Sequence, residues 1–308
     1  MSQNIRDIDL YGAGILIGLS GLLGLNQVLV KLVNVGMAPI FQVGMRSACA
    51  FLPVLIWSLL KNKKLSISDG SLPMGLLNGV FFSMEFCLLF TAVEYTSVAR
   101  VSLFFYTMPL WVAVGAHFLM PQESLNKVQW AGLVLAGFGV YLVFSDGASQ
   151  PAPNAWIGDC LAIAAAICWA AIALLTRATR LSKCTPEMIL LYQLGFSAIV
   201  LLVVANITGD TFREMDFTIA ALFAFQVIFI ACFAFITWFW ALSVFPITTM
   251  ASFGLLTPIF GVFFGWLVLD DTVTWLLLLA LVLIAGGLVL VNRRSMVRNQ
   301  AQAPDSRE

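Results

Sequence analysis

Charge is scarce in this sequence. Asp, Glu, Lys and Arg make up 10% of its 308 residues, where an average soluble domain carries roughly 25%. So few charges cannot cover a water-facing surface, and most of the surface must therefore face lipid. Histidine occurs once, as His117. A lone imidazole leaves no second ligand for a histidine metal centre and no partner for a catalytic triad. The six cysteines, Cys49, Cys87, Cys160, Cys168, Cys184 and Cys232, show no CxxC pair and no metal-ligand spacing. They read as small apolar side chains. HExxH, GxSxG and P-loop motifs are missing, which excludes the enzymes built on them and intrinsic ATP-driven work by this chain. Gly-x-Gly at 12–14 and 137–139 falls inside apolar runs rather than after a strand, so it is no nucleotide fingerprint. The first apolar run is too long for a signal h-region, and Asp7 and Asp9 stand where a basic n-region belongs, so no cleavable signal is expected. No cofactor, metal or nucleic acid is expected as a partner.

Apolar residues are abundant. They make up 61% of the chain, and the mean hydropathy is +0.96. A membrane span needs about 20 mostly apolar residues. The sequence predicts ten, at 10–33, 39–60, 71–92, 97–119, 127–144, 154–177, 186–206, 217–241, 246–269 and 273–291. Connections are short, and several carry breakers such as Met37-Ala38-Pro39 and Thr208-Gly209-Asp210. The polar tail 295–308 is expected to be disordered.

Lys and Arg set the orientation. With a cytoplasmic N-terminus, the cytoplasmic segments hold Arg6, Lys61, Lys63, Lys64, Lys127, Arg177, Arg180, Lys183, Arg293, Arg294, Arg298 and Arg307, and the opposite side holds Arg213. Both termini are therefore expected in the cytoplasm.

The chain also repeats. Shifted by 149 residues, Ala92, Ser102, Pro109 and Gly137 fall on Ala241, Ala251, Pro258 and Gly286. Five spans per half is an odd number, so the second half must insert upside down relative to the first. The first repeat is placed at 1–147 and the second at 148–294.

At AVEYTSVARVSLFFYTMPLW and ALSVFPITTMASFGLLTPIF the chain resembles the EamA-type branch of the drug/metabolite transporter superfamily. Pro109 and Pro258 match the family's fourth-helix prolines. Glu123 matches the acid of its L-G-E turn, with Asp270 or Asp271 as counterpart. Gly132, Gly137, Gly139, Gly286 and Gly287 match the fifth-helix glycines. Gln122 stands where the turn usually has glycine, and Leu269-Asp270-Asp271 replaces the second tripeptide. The resemblance implies a small-metabolite transporter, often an exporter, and names no substrate.

Ionisable groups inside a bilayer are costly and are functional candidates by default. Lys31, Arg46, Glu85, Arg100 and His117 are read as such groups. Their counterparts Gln193 (for Arg46), Ala234 (for Glu85) and Thr249 (for Arg100) are uncharged, so an asymmetric site built mainly by the first half is expected. Glu85 reads as a proton carrier, an anchor for a substrate ammonium, or half of a structural ion pair with Arg46. Arg46 offers planar, bidentate recognition of a carboxylate, or positions helices. Lys31 and Arg100 lie near span ends and read as snorkelling side chains. His117 beside the 121–123 turn reads as an interface cap, with a gating or proton-relay role as the alternative.

Asn26, Gln27, Asn78, Gln193 and Gln226 interrupt apolar spans and must turn inward, bridging helices or meeting substrate. Tyr106, Trp111, Trp169, Tyr192, Trp238 and Trp240 could line a cavity, with Tyr106, Trp169 and Trp238 best placed away from the interfaces. Pro109 and Pro258 allow paired kinks, which serve either as an alternating-access hinge or as fixed bends. Gly14-x-x-x-Gly18 and Gly261-x-x-x-Gly265 allow close helix contact, within the chain or between two copies.

The expected architecture is an all-α integral membrane protein of the inner membrane, with ten transmembrane helices in two inverted five-helix repeats around a central cavity. The expected function is secondary transport of a small organic metabolite, an amino acid or similar zwitterion, by alternating access and in the export direction. Glu85 is the coupling candidate, with protons as the ion. A passive facilitator of apolar or aromatic metabolites is the alternative, and a non-transporting membrane subunit the remote one. Either a monomer or a homodimer is compatible with this sequence.

Overall fold

The computed structural model describes residues 10–120, 124–150, 152–234 and 253–301, with Thr237, Trp240, Ala241, Val244 and Phe245 in between, and side chains as far as Asn292. Glu123 and Trp238 lie outside the described residues, as does 246–252 of the ninth span.

Among the described residues the chain is helical, apart from one bridge between Met37 and Phe212. The helices are α1 (Leu10–Val33), α2 (Pro39–Leu60), α3 (Leu72–Tyr95), α4 (Val98–Phe105), α5 (Met108–Leu119), α6 (Lys127–Ser145), α7 (Ala155–Ala178), α8 (Pro186–Thr208), α9 (Phe217–Phe225), α10 (Leu256–Leu269) and α11 (Trp275–Ala301). Nine described stretches are long and apolar enough to cross a membrane, with α4 and α5 forming one, and Leu256–Leu269 is a shorter apolar helix. The helical backbone of α11 continues past Asn292, where its apolar stretch ends, to Ala301.

Local chemistry fixes the helix ends. Proline opens α2 and α8, where a missing N–H costs nothing. Gly209, at φ +73°, closes α8 in the left-handed conformation that glycine adopts freely. A capping box opens α6: Asn126 accepts from the Gln129 N–H, and the Gln129 side chain accepts from the Asn126 N–H. Asn126→Ala is therefore expected to cost about 1 kcal/mol, read as a lowered midpoint of thermal unfolding in detergent.

The fourth span departs from a simple kink. It breaks into α4 and α5 at Tyr106 and Thr107, just before Pro109. Proline supplies no N–H to continue the ladder. Thr107 Oγ1 instead donates to the Phe104 carbonyl at 2.6 Å, and Trp111 Nε1 donates to Thr107 Oγ1 at 3.2 Å. Pro258 stands near the start of α10, directly after a turn at Leu255. The two proline-bearing spans thus break at matching places.

Packing follows the repeat. α1 lies on α10 as α5 lies on α7, and α6 pairs with α11. Small residues let the backbones approach, as expected where lipid supplies no hydrophobic drive between helices. A Cβ on Gly287 would stand 2.5 Å from the Gly132 carbonyl oxygen, and one on Gly261 only 2.2 Å from Ser102 Oγ. Gly261-x-x-x-Gly265 is therefore an internal seam, whereas Gly14 and Gly18 meet nothing within 4 Å. Every residue of α4 is buried, which makes this short helix the centre of the main core cluster.

Candidate functional site

Two spans bring charge into the middle of the bundle. Arg46 on α2 is 4% exposed, and Glu85 on α3 is 2% exposed. The Arg46 guanidinium lies over the rings of Phe86 (4.2 Å) and Phe90 (5.0 Å) from α3. Cation–π contact of this kind reaches about 2 kcal/mol when desolvated. Glu85 lies within electrostatic reach of Arg46, of Tyr106 at the α4–α5 break, and of Cys168 on α7. Among the described residues, neither the Glu85 carboxylate nor the Arg46 guanidinium makes a hydrogen bond, and no ion pair joins them within 4.0 Å. Tyr106 also adjoins Thr257 of α10, so the second half touches the same region. Trp169 is half-buried against the main core.

The amide side chains are placed differently. Gln42 Nε2 donates to Gln226 Oε1 and Gln226 Nε2 to Asn26 Oδ1, each at 3.2 Å, which links α2, α1 and the eighth span. Gln226 also opens a π-helical stretch, Gln226–Ala234. Such turns are rare and frequently occur at functional sites. Gln27 is 3% exposed, and its Oε1 has no partner among the described residues. Gln193 Nε2 donates to Asn78 Oδ1 at 2.7 Å, while Asn78 Nδ2 reaches the Ile172 carbonyl at 3.2 Å. That group braces α8, α3 and α7 against one another. Trp111 and Trp240 are exposed on the outside of the bundle, and Tyr192 sits at one end, bonded to Ser71 at 2.9 Å.

One end of the bundle is closed by a buried polar network that sequence reading misplaced. Arg100 does not snorkel: it is fully buried, because an acid waits for it inside the protein. Its Nε donates to Asp159 Oδ1 at 3.1 Å and its Nη2 to Asp159 Oδ2 at 2.6 Å. Nη1 donates to Ser149 Oγ at 2.6 Å and to the Asp146 carbonyl at 3.2 Å. Thr96 Oγ1 adds a further bond to Asp159 Oδ1 at 3.1 Å. Asp159 is not among the candidates that the sequence singles out; its place inside the apolar run 154–177 is the signal that points to a buried partner for Arg100. Lys31 Nζ donates to the Thr96 carbonyl at 2.9 Å rather than reaching to the interface. Asp271, in the α10–α11 turn, accepts the Ala99 N–H at 3.0 Å and so caps α4. Burial pushes the Asp271 carboxyl above its ordinary range, against the Ala99 bond and the Lys31 charge. Arg213 ties Glu94 and the Asn34 carbonyl into the same end, at 2.5 Å and 3.0 Å. The opposite end carries the ion pair Lys63–Glu187 at 2.8 Å. His117 caps a turn there, as its position predicts: Nδ1 accepts the Leu125 N–H at 3.1 Å.

Known proteins share the repeated sequence pattern and the fold. The family pattern described as "EamA-like transporter family" matches residues 10–145 and again 156–293. The "Uncharacterized transporter YoaV" of Bacillus subtilis is 24% identical over 82% of this chain and 86% of its own. A protein of Escherichia coli described as "Probable amino-acid metabolite efflux pump" is 24% identical over 87% and 90%. A solved crystal structure shares the fold at 16% identity, with a TM-score of 0.64 over 93% of this chain and 99% of that one. The repeated spans, the matching proline breaks and a family match over nearly the whole length agree. The chain is a multi-pass membrane transporter of small molecules rather than an enzyme, and it belongs to the EamA-like transporter family.

Proposed function

We propose that this transporter exports an amino acid or similar zwitterion across the inner membrane by alternating access. One observation carries the reading: Arg46 is buried with its guanidinium over the rings of Phe86 and Phe90, and no protein carboxylate lies within 4.0 Å among the described residues. A buried guanidinium without a protein hydrogen bond suits a ligand carboxylate. Glu85 nearby supplies the opposite charge for the ligand's ammonium, or carries a proton when the site is empty. Tyr106 and Trp169 form the flanking walls, with Asn26, Gln27, Gln226 and Gln193 in the surrounding amide groups and Trp238 as a further candidate. Pro109 and Pro258 serve as the hinges. The description of the Escherichia coli relative supports both substrate class and direction.

The charge bias of the loops supports cytoplasmic termini. On that reading the Arg100–Asp159 network lies at the outward end. The structural units are 1–147 and 148–294.

Counterflow in proteoliposomes with labelled amino acids tests the assignment. Arg46→Gln removes a charge-assisted contact worth about 1.5–3 kcal/mol and is expected to raise the KM for transport roughly ten- to hundred-fold. Glu85→Gln is expected to abolish the pH dependence of uptake. Folded variants that both transport like the parent would overturn the site. Transport that ignores pH in the parent as well would leave a passive facilitator.

A further inference from the structure

We propose that a recess at the basic end of the bundle, between the start of α3 and the end of α7, binds the phosphodiester headgroup of an anionic membrane lipid. The recess has a volume of about 510 Å³ and is lined by Gly70, Pro73, Met74, Thr179, Arg180 and Lys183. Its chemistry is split. Arg180 and Lys183, both exposed, supply positive charge at the rim. Pro73 and Met74 supply an apolar wall.

Gly70 has φ +76°, a backbone that glycine adopts without strain. A Cβ there would stand 2.2 Å from Arg180 Nη1, so the guanidinium lies directly against this turn. Asp69 lies close enough to offset part of the Arg180 charge, and its carboxylate is engaged by the Ser71 N–H at 2.9 Å. Lys183 has no carboxylate within 4.0 Å among the described residues. The recess therefore keeps a net positive charge.

Depth selects the ligand. The apolar stretch of α3 begins at Leu72 and that of α7 ends at Ala178, so the recess lies at the level where the spans leave the hydrocarbon. Leu72, Leu76 and Leu77, exposed on the same first turns of α3, continue the apolar wall along the path an acyl chain would take. A soluble phosphate would use the cations and leave this wall idle, whereas a lipid uses both. Basic recesses between spans at the headgroup level hold acidic lipids by this combination.

The test is native mass spectrometry of the full chain in mixed micelles of phosphatidylglycerol and phosphatidylcholine. The parent is expected to retain phosphatidylglycerol in preference to phosphatidylcholine. The double variant Arg180→Gln/Lys183→Gln is expected to lose that retention roughly thirty-fold, from about five-fold per cation. Lys183→Gln alone is expected to lose about five-fold, and unchanged melting in phosphatidylcholine shows that the variants fold. Equal retention of the two lipids, or parent-like retention by the double variant, overturns the proposal. Inorganic phosphate is the second probe. Phosphate binding in phosphatidylcholine micelles without any preference for phosphatidylglycerol would assign the recess to a free anion and overturn the lipid. Because lipid retention is the readout, failure here leaves the transport reading untouched.

Discussion

Asp159→Asn is expected to lower the stability of this protein by about 3–5 kcal/mol, the cost of leaving one partner of a buried ion pair unpaired. Both side chains are completely buried. Asparagine keeps the shape of the acid and can still accept from Thr96, but it cannot neutralise a guanidinium enclosed by protein. The bond network ties α4 to α7 and, through Ser149 and the Asp146 carbonyl, to the segment joining the two repeats. Arg100→Gln is expected to cost about as much, because Asp159 is then the stranded charge. The double variant Arg100→Met/Asp159→Leu is the instructive one. A buried ion pair replaced by apolar residues of similar volume is often neutral or stabilising, so this variant is expected to recover most of the lost stability. Thermal unfolding in detergent, followed by tryptophan fluorescence, reads all four proteins. Parent-like melting of Asp159→Asn would sink the assignment. A stable double variant with impaired counterflow would then identify the pair as a latch that transport must open and reclose, and not only a brace.

Gly287→Val carries the second large effect. The new Cβ would meet the Gly132 carbonyl oxygen at 2.5 Å and the Ala136 Cβ at 2.7 Å. These neighbours are backbone and a short side chain, so no flexible group can swing away. Overpacking of this kind costs about 1–3 kcal/mol, and more where backbone is struck; about 3 kcal/mol is expected here. Gly132→Val strikes the same seam from the other side, with its Cβ 2.8 Å from the Gly287 carbonyl oxygen. Gly137→Val is the internal control, since a Cβ there meets nothing within 4 Å. Monodisperse yield in detergent chromatography and the unfolding midpoint should fall for the first two variants and hold for the third. A loss at Gly137 equal to that at Gly287 would mean that α6 dislikes valine generally, and the seam explanation would fail.

These two experiments probe opposite kinds of legibility. The glycines were readable as a repeated feature of matching spans, because a backbone approach in lipid demands a missing side chain wherever it occurs. The sequence could not say which glycines face the partner helix. Gly132, Gly139 and Gly287 do so, and Gly137 does not. Arg100 failed in the other direction. Its closeness to a span end suggested water, but its partner stands near the end of a span from the other repeat, far away in sequence. No periodicity reports that meeting. Gln193 likewise was equally able to touch substrate or a helix, and its 2.7 Å bond to Asn78 came from the way α3 crosses α8.

Sequence alone determined the solvent of this protein and the repetition of its parts. Apolar run length is set by bilayer thickness, the Lys and Arg bias by membrane insertion, and the paired prolines by covalent geometry, all of which act locally along the chain. Tertiary structure decided how the buried charges pair. Arg100 found Asp159 at one end, while Arg46 came to rest on two phenylalanines beside Glu85 without bonding it. Pairing in a low-dielectric interior depends on ångström-scale distances between helices remote in sequence, and those distances exist only once the bundle has closed.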